Sequence, residues 1–151
     1  MKRSERLEMV KKVVDDFERR KAEALAAAER RVSDNEKKLA DLEAYRDGYV
    51  RDFVLRAQAG IGAAAARDYQ VFLTRLDDAL KQQAQAVTGS RAQRDSERQN
   101  WRDAAQRAEA IGQTVKRWQG EERYALDRRE QHESDERSQR IWAQGMISRG
   151  A

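Results

Sequence analysis

Residues 59–80 read AGIGAAAARDYQVFLTRLDDAL, and this stretch decides the fold that the sequence predicts. Its two glycines, Gly60 and Gly62, bracket a single residue, and glycine is the usual residue where a chain leaves a helix. Directly afterwards, apolar side chains recur at alternating spacings of four and three residues, which places them on one face of a helix. They are Tyr69, Leu73, Leu76 and Leu80. The stretch therefore predicts a bend that opens into an amphipathic helix.

Apolar stripes with the same spacing extend on both sides of this bend. Before it, the stripe runs through Leu7, Val10, Val14 and Phe17 and, after a slip of phase between Lys21 and Leu25, through Leu25, Ala28, Val32, Leu39, Leu42, Tyr49 and Phe53. After it, the stripe continues through Val87, Trp101, Ala104, Ala108, Ile111, Val115 and Trp118. Two such stripes joined by a bend predict two helices that pair antiparallel along a narrow seam.

The composition agrees with long helices and a thin seam. Of the 151 residues, 38% are charged and none is proline, so no residue forces a helix to break. The predicted fold class is all-α: two long helices in an antiparallel coiled-coil hairpin, with the second helix longer. We predict helix 1 over residues 1–58, the bend over 59–65, helix 2 paired with helix 1 over 66–123, and an overhang over 124–151 that is either a charged helix or disordered.

Several classes of chemistry have little support in this sequence. Because the chain lacks cysteine, it has no thiolate nucleophile and no sulfur ligand for zinc. The single histidine, His132, stands among acidic residues on a solvated helix and makes a poor metal ligand. A two-helix seam also lacks the pocket in which carboxylates acquire shifted pKa values. We therefore expect no enzyme activity, no catalytic residue, no metal site and no cofactor.

The charge pattern and the hydropathy limit which kinds of partner and which cellular location the sequence predicts. The 31 basic and 27 acidic residues are interspersed, and no basic block is interleaved with aromatic residues, so we expect no nucleic-acid partner. The first residues are too charged for a signal peptide, and no stretch approaches the length of a membrane span. The sequence therefore predicts a cytoplasmic protein without a transmembrane segment.

Near the bend, the apolar surface is wider than a two-stranded seam requires. Phe72 and Ala79 lie beside the stripe of helix 2, while Leu42, Tyr45 and Tyr49 follow one another at spacings of three and four residues on helix 1. Two interpretations stay open from composition alone. The rings form a docking surface for another protein, or they cover the wide end of the coiled coil.

The same residues carry a family resemblance. The run Leu42, Tyr45, Tyr49, then Gly60-Ile61, then Tyr69-Gln70, Phe72, Leu76 and Ala79 resembles the flagellar export protein FliJ family, and Trp101 is a further marker. The architecture resembles the family over essentially the whole chain, and the residue-level likeness is concentrated between about Leu39 and Gln83. The resemblance implies a non-enzymatic component of the bacterial flagellar type III protein export apparatus.

The resemblance also implies partners. Proteins of this family are cytoplasmic stalks that bind the ring of the export ATPase FliI, contact the export gate protein FlhA and escort export chaperones. They act at the cytoplasmic face of the inner membrane, at the flagellar base. Carried over residue by residue, the gate-binding patch falls on Leu42, Tyr45, Tyr49, Phe72, Leu76 and Ala79. Lys38 and Gln83, at the edges of this patch, depart from the family pattern.

A second surface follows from charge. Basic residues that could meet an acidic lumen of the ATPase ring are Lys2, Arg3, Arg6, Lys11, Lys12, Lys116 and Arg117. Three alternatives remain at this point: the equivalent stalk of a virulence injectisome, a chaperone or escort that works without an ATPase, and a structural coiled coil that oligomerises.

Overall fold

Two α-helices make up almost the whole chain. The computed structural model describes residues 1–150 and contains α1 (Arg3–Ala59) and α2 (Ala63–Gly150), with no β-strand among those residues. The helices pack against each other and α2 is the longer, which confirms the predicted all-α fold class. Ala151, the last residue of the predicted overhang, lies outside the described residues.

The turn between the helices depends on Gly60. Its φ is +90°, a conformation that residues with a β-carbon rarely adopt, and its N–H donates to the carbonyl oxygen of Ala57 at 3.2 Å. On the other side of the turn, the N–H of Ala66 donates to the carbonyl oxygen of Gly62 at 3.1 Å and opens α2. Between α1 and α2 only residues 60–62 are non-helical, which is shorter than the expected bend of 59–65.

Alanine substitutions at Gly60 and Gly89 should change stability in opposite directions. Gly60→Ala forces a β-carbon into the positive φ region and should lower the free energy of unfolding by about 1–2 kcal/mol. Gly89 lies inside α2 with open space around the position of a β-carbon, so Gly89→Ala should raise it by about 0.5–1 kcal/mol. Urea unfolding followed by circular dichroism measures both. Shifts of the same sign would contradict this account of the turn.

The chain divides into two units. The hairpin unit is Phe17–Ala104, which contains the turn. Its buried side chains form a thin seam, because each is small or branched and lies where the two helices face each other. They are Ala28, Val32, Leu76, Val87 and Ala104, each at most 7% exposed.

Polar contacts across the seam fix the register of the hairpin unit. Gln83 donates from Nε2 to the backbone oxygen of Asn35 at 2.9 Å, beside the buried Val87. Further along, the indole Nε1 of Trp101 donates to Glu18 Oε1 at 2.7 Å. These bonds join residues before the turn to residues after it, with the order reversed. The two helices of this unit are therefore antiparallel, as the apolar spacing predicts.

Two residues that the spacing places in the seam are largely outside it. Phe17, in the hairpin unit, is 39% exposed, and the charged groups of Arg20 and Lys21 lie 5.9 and 5.2 Å from its ring centroid. Val10, in the other unit, is 45% exposed. The prediction of both as seam residues is therefore wrong. A two-stranded seam covers a narrow strip of each helix, so a small rotation near the phase slip leaves these side chains at its edge.

The terminal unit consists of Met1–Asp16 with α2 from Ala105 onward. Ser4 is 3% exposed, and its hydroxyl donates to Glu122 Oε2 at 2.6 Å while its backbone N–H donates to Glu122 Oε1 at 3.3 Å. These bonds lower the pKa of the Glu122 carboxyl. The carboxylate thereby satisfies an N–H of the first turn of α1, which has no intrahelical partner.

Beyond this contact, α2 continues past the start of α1, and only Arg123 and Leu126 still line a groove with Ser4 and Glu5. Every residue from 123 to 150 is exposed, yet the segment is helical throughout. The part of the predicted overhang that the structure describes is thus a helix. Nowhere in residues 1–150 does a helix carry an apolar run that is fit to cross a bilayer.

Candidate partner-binding surfaces

Five aromatic side chains meet next to the turn of the hairpin unit, and we call them the aromatic cluster: Tyr45, Tyr49, Phe53, Tyr69 and Phe72. The three from α1 are spaced four residues apart, so they lie one above the other on one face. Tyr49 is the central ring, with centroids 4.6 Å from Phe72, 4.9 Å from Tyr69 and 6.4 Å from Tyr45. Each helix thus supplies rings that hold those of the other in place.

Polar contacts between the helices fix both edges of the aromatic cluster. On one side, the Tyr69 hydroxyl donates to Asp52 Oδ2 at 2.7 Å, and this bond raises the pKa of the tyrosine. On the other side, Arg46 Nε donates to Asp77 Oδ1 at 2.6 Å, which raises the pKa of the arginine. These two contacts join α1 to α2 within the stretch that carries the rings.

One ring of the cluster is open to solvent. Tyr45 is 56% exposed, although its ring packs edge-on against Phe72 at a centroid distance of 6.3 Å. Tyr49 and Phe72 are half-buried behind it. An exposed tyrosine with rigid aromatic support can bury much apolar area against a partner while losing little side-chain freedom.

The structure separates the six residues of the predicted gate-binding patch into three groups. Tyr45, Tyr49 and Phe72 share the aromatic cluster, and Leu42 and Ala79 are half-buried. Leu76 is only 7% exposed and belongs to the seam.

Two members of the aromatic cluster, Phe53 and Tyr69, are absent from the patch derived from the sequence. The apolar spacing assigned both to the seam, yet their rings contact each other at 5.1 Å and Tyr69 also contacts Tyr49. The four-residue spacing of Tyr45, Tyr49 and Phe53 is the signal that could have identified Phe53.

The predicted basic surface lies within the terminal unit. Its members Lys2, Arg3, Arg6, Lys12, Lys116 and Arg117 are exposed, and Lys11 is half-buried. Two of them have partners inside the unit: Arg3 pairs with Glu121 and covers the ring of Trp118 at 4.5 Å, and Lys11 Nζ lies 2.6 Å from Asp15. In the part of the chain that the structure describes, no three His, Asp or Glu residues are placed to hold a metal.

Comparison with known protein families gives one match that covers nearly the whole chain. The profile described as "Flagellar FliJ protein" matches residues 2–146. The chain belongs to the FliJ family. Searches of curated proteins and of solved structures returned no match.

Membership in the FliJ family makes the chain a component of the flagellar export apparatus. The match also confirms the family resemblance inferred from the residues between Leu39 and Gln83. Those residues include the whole aromatic cluster.

Proposed function

We propose that this FliJ-family protein is a non-enzymatic stalk that binds the export ATPase FliI through its terminal unit and the export gate protein FlhA through its aromatic cluster. The observation that carries the proposal is the exposed Tyr45 ring, which packs against Tyr49 of its own helix and Phe72 of the other. This stalk couples the ATPase to the gate, and it escorts export chaperones. It works in the cytoplasm, peripheral to the inner membrane at the flagellar base.

The aromatic cluster supports the gate-binding part of the proposal. Aromatic side chains dominate the energetics of protein interfaces, and they do so most where their rotamers are fixed before binding. Here Tyr45 and Phe72 come from different helices, and the pairs Tyr69–Asp52 and Arg46–Asp77 hold those helices together on either side. A partner would therefore meet a preformed apolar patch with a polar rim.

Unpaired basic side chains support the ATPase-binding part. Within residues 1–150, Arg6, Lys12, Lys116 and Arg117 take part in no ion pair, so their charges are available to an acidic surface. Arg3 and Lys11, in contrast, already serve contacts within the terminal unit, and the charge of Lys2 acts on the Glu122 carboxylate there by helping to lower its pKa. We therefore limit the candidate ATPase-binding residues to Arg6, Lys12, Lys116 and Arg117.

A pair of matched charge reversals on α1 tests the proposal. The variant Arg6→Glu/Lys12→Glu reverses an exposed arginine and a lysine six residues later in the terminal unit, and Arg31→Glu/Lys37→Glu does the same in the hairpin unit. We expect the native chain and the second variant to stimulate ATP hydrolysis by the purified export ATPase. The first variant should need at least tenfold more protein for the same stimulation, because close charge pairs across interfaces contribute on the order of 1.5 kcal/mol or more.

The measurement is the rate of ATP hydrolysis against stalk concentration, with circular dichroism to verify that both variants fold. Equal loss of stimulation in the two variants would show that the position of the charges does not matter, which contradicts the assignment. If the native chain gives no stimulation at all, the stalk function is wrong and an escort without an ATPase becomes the better account.

A further inference from the structure

The exposed part of α2 has an uneven distribution of charge. Residues 127–136 contain five acidic residues against two arginines: Asp127, Glu130, Glu133, Asp135 and Glu136 against Arg128 and Arg129. Residues 137–150 contain Arg137, Arg140 and Arg149 and no acidic residue. Elsewhere in this chain the two signs alternate, as they do on solvated helix faces. A purely basic helical segment therefore needs its own explanation.

The same segment has an apolar side. At about 100° per residue, Trp142, Met146, Ala143 and Ile147 fall within an arc of about 140°, which also contains Gln139 and Gly150, while Ile141 lies on the opposite side of the helix. Trp142, Met146 and Ile147 are 69%, 54% and 75% exposed, because α1 does not extend beside this part of α2. Arg140 and Arg149 fall just outside the two edges of the arc, and Arg140 also lies 3.6 Å from Glu136 in an exposed ion pair that a lipid phosphate would have to replace. The apolar strip is thus bordered by positive charge on both sides.

We propose that residues 137–150 bind the surface of an anionic lipid bilayer, with the apolar strip lying in the interface and the arginines on the lipid phosphates. A helix with a tryptophan-containing apolar face and a basic polar face is the type that lies in the plane of a membrane surface. Arginines at both edges can extend their stems along the apolar boundary and keep the guanidinium at headgroup level. An anionic bilayer offers negative charge on both sides of the strip at once.

The residues before this segment limit where the membrane contact can begin. The excess of acid in residues 127–136 is repelled by an anionic surface, so contact should be confined to residues 137–150. The inference goes beyond the proposed function and does not rest on it, since it involves neither the basic residues of α1 nor the aromatic cluster. It can succeed or fail independently of ATPase stimulation.

Vesicle binding by the full chain tests the proposed contact between the arginines and the lipid phosphates. We expect co-sedimentation with vesicles of phosphatidylcholine that contain phosphatidylglycerol, and none with phosphatidylcholine alone. The variant Arg140→Gln/Arg149→Gln should weaken binding by about thirtyfold, because each basic residue near an anionic surface contributes roughly a factor of five. The matched variant Arg128→Gln/Arg129→Gln removes two arginines from the acidic segment of the same exposed helix and should leave binding within about twofold.

A second pair of variants tests the apolar strip. Met146→Gln/Ile147→Gln should weaken binding to the anionic vesicles at least tenfold, since it removes two side chains from the apolar face. Tyr124→Gln/Leu126→Gln changes two apolar residues that are also exposed but lie outside the segment, and it should bind as the native chain does. Brominated lipid should quench the native fluorescence more strongly than that of Trp142→Phe.

Three results would overturn the inference. The first is the absence of binding to anionic vesicles, and the second is equal binding to neutral and anionic ones. The third is an equal loss of vesicle binding in each variant and its matched control. If the native chain instead doubles its mass in solution and ignores vesicles, the strip is covered by a second copy and the membrane proposal is wrong.

Discussion

Replacing Val87 with aspartate should unfold the hairpin unit. Val87 is 4% exposed in the seam, and the cation one turn further along α2, Arg91, is exposed and already pairs with Glu36 at 3.0 Å. Burying an unpaired charge costs at least about 3 kcal/mol, and the whole free energy of unfolding of a domain is about 5–15 kcal/mol. The thin seam has few other buried side chains to compensate. We expect a large loss of helical circular dichroism and of cooperative unfolding by urea.

The control is the same substitution elsewhere on α2. Val71 is 53% exposed, so Val71→Asp introduces an identical side chain into water and should change the free energy of unfolding by about 0.5 kcal/mol or less. Comparing the two variants separates the effect of burial on stability from that of the poor helix propensity of aspartate, which both variants share. Similar destabilisation by the two substitutions would mean that the seam is not the main source of stability.

Removing two rings of the aromatic cluster should disrupt the proposed gate contact. Tyr45→Ala/Phe72→Ala deletes the exposed ring and its edge-on support, which lie 6.3 Å apart. Central aromatic residues of an interface often contribute about 2 kcal/mol or more each, so the double variant should weaken binding by about 100-fold or more. The measurement is the dissociation constant for the detergent-solubilised gate protein FlhA, for example by microscale thermophoresis.

A matched variant separates lost binding from lost apolar surface in general. Tyr124→Ala/Leu126→Ala also removes one exposed tyrosine and one further apolar side chain, but from the terminal unit, and it should bind the gate protein like the native chain. Urea unfolding of both variants shows whether the two-helix fold is intact. If the Tyr45 and Phe72 variant folds and binds normally, the aromatic cluster only covers the end of the coiled coil.

A large part of the fold could be predicted from the sequence. The alternating spacing of apolar residues, the absence of proline and the pair Gly60 and Gly62 together predict two helices and one turn. These features act within a few residues along the chain, because helical periodicity and the conformational freedom of glycine are local properties. The positive φ of Gly60 and the antiparallel contacts of the hairpin unit agree with that prediction.

The binding surfaces depended on the tertiary structure. Spacing alone assigns Leu76 and Tyr69 to one stripe, yet Leu76 is buried in the seam while Tyr69 joins the aromatic cluster. Spacing also places Phe17 in the seam, whereas the structure leaves 39% of it exposed. The reason is that a repeat defines a face of one helix, whereas burial depends on which side chains of the other helix stand opposite.

The sequence by itself thus determined the helices, the turn and the candidate aromatic residues of this FliJ-family protein. Only the tertiary structure decided which rings contact each other, and that Ser4 and Glu122 join the start of α1 to α2 in the terminal unit. It also showed that every residue of α2 from 123 to 150 is exposed. Such facts arise from contacts between residues far apart in the chain, and a local pattern does not encode them.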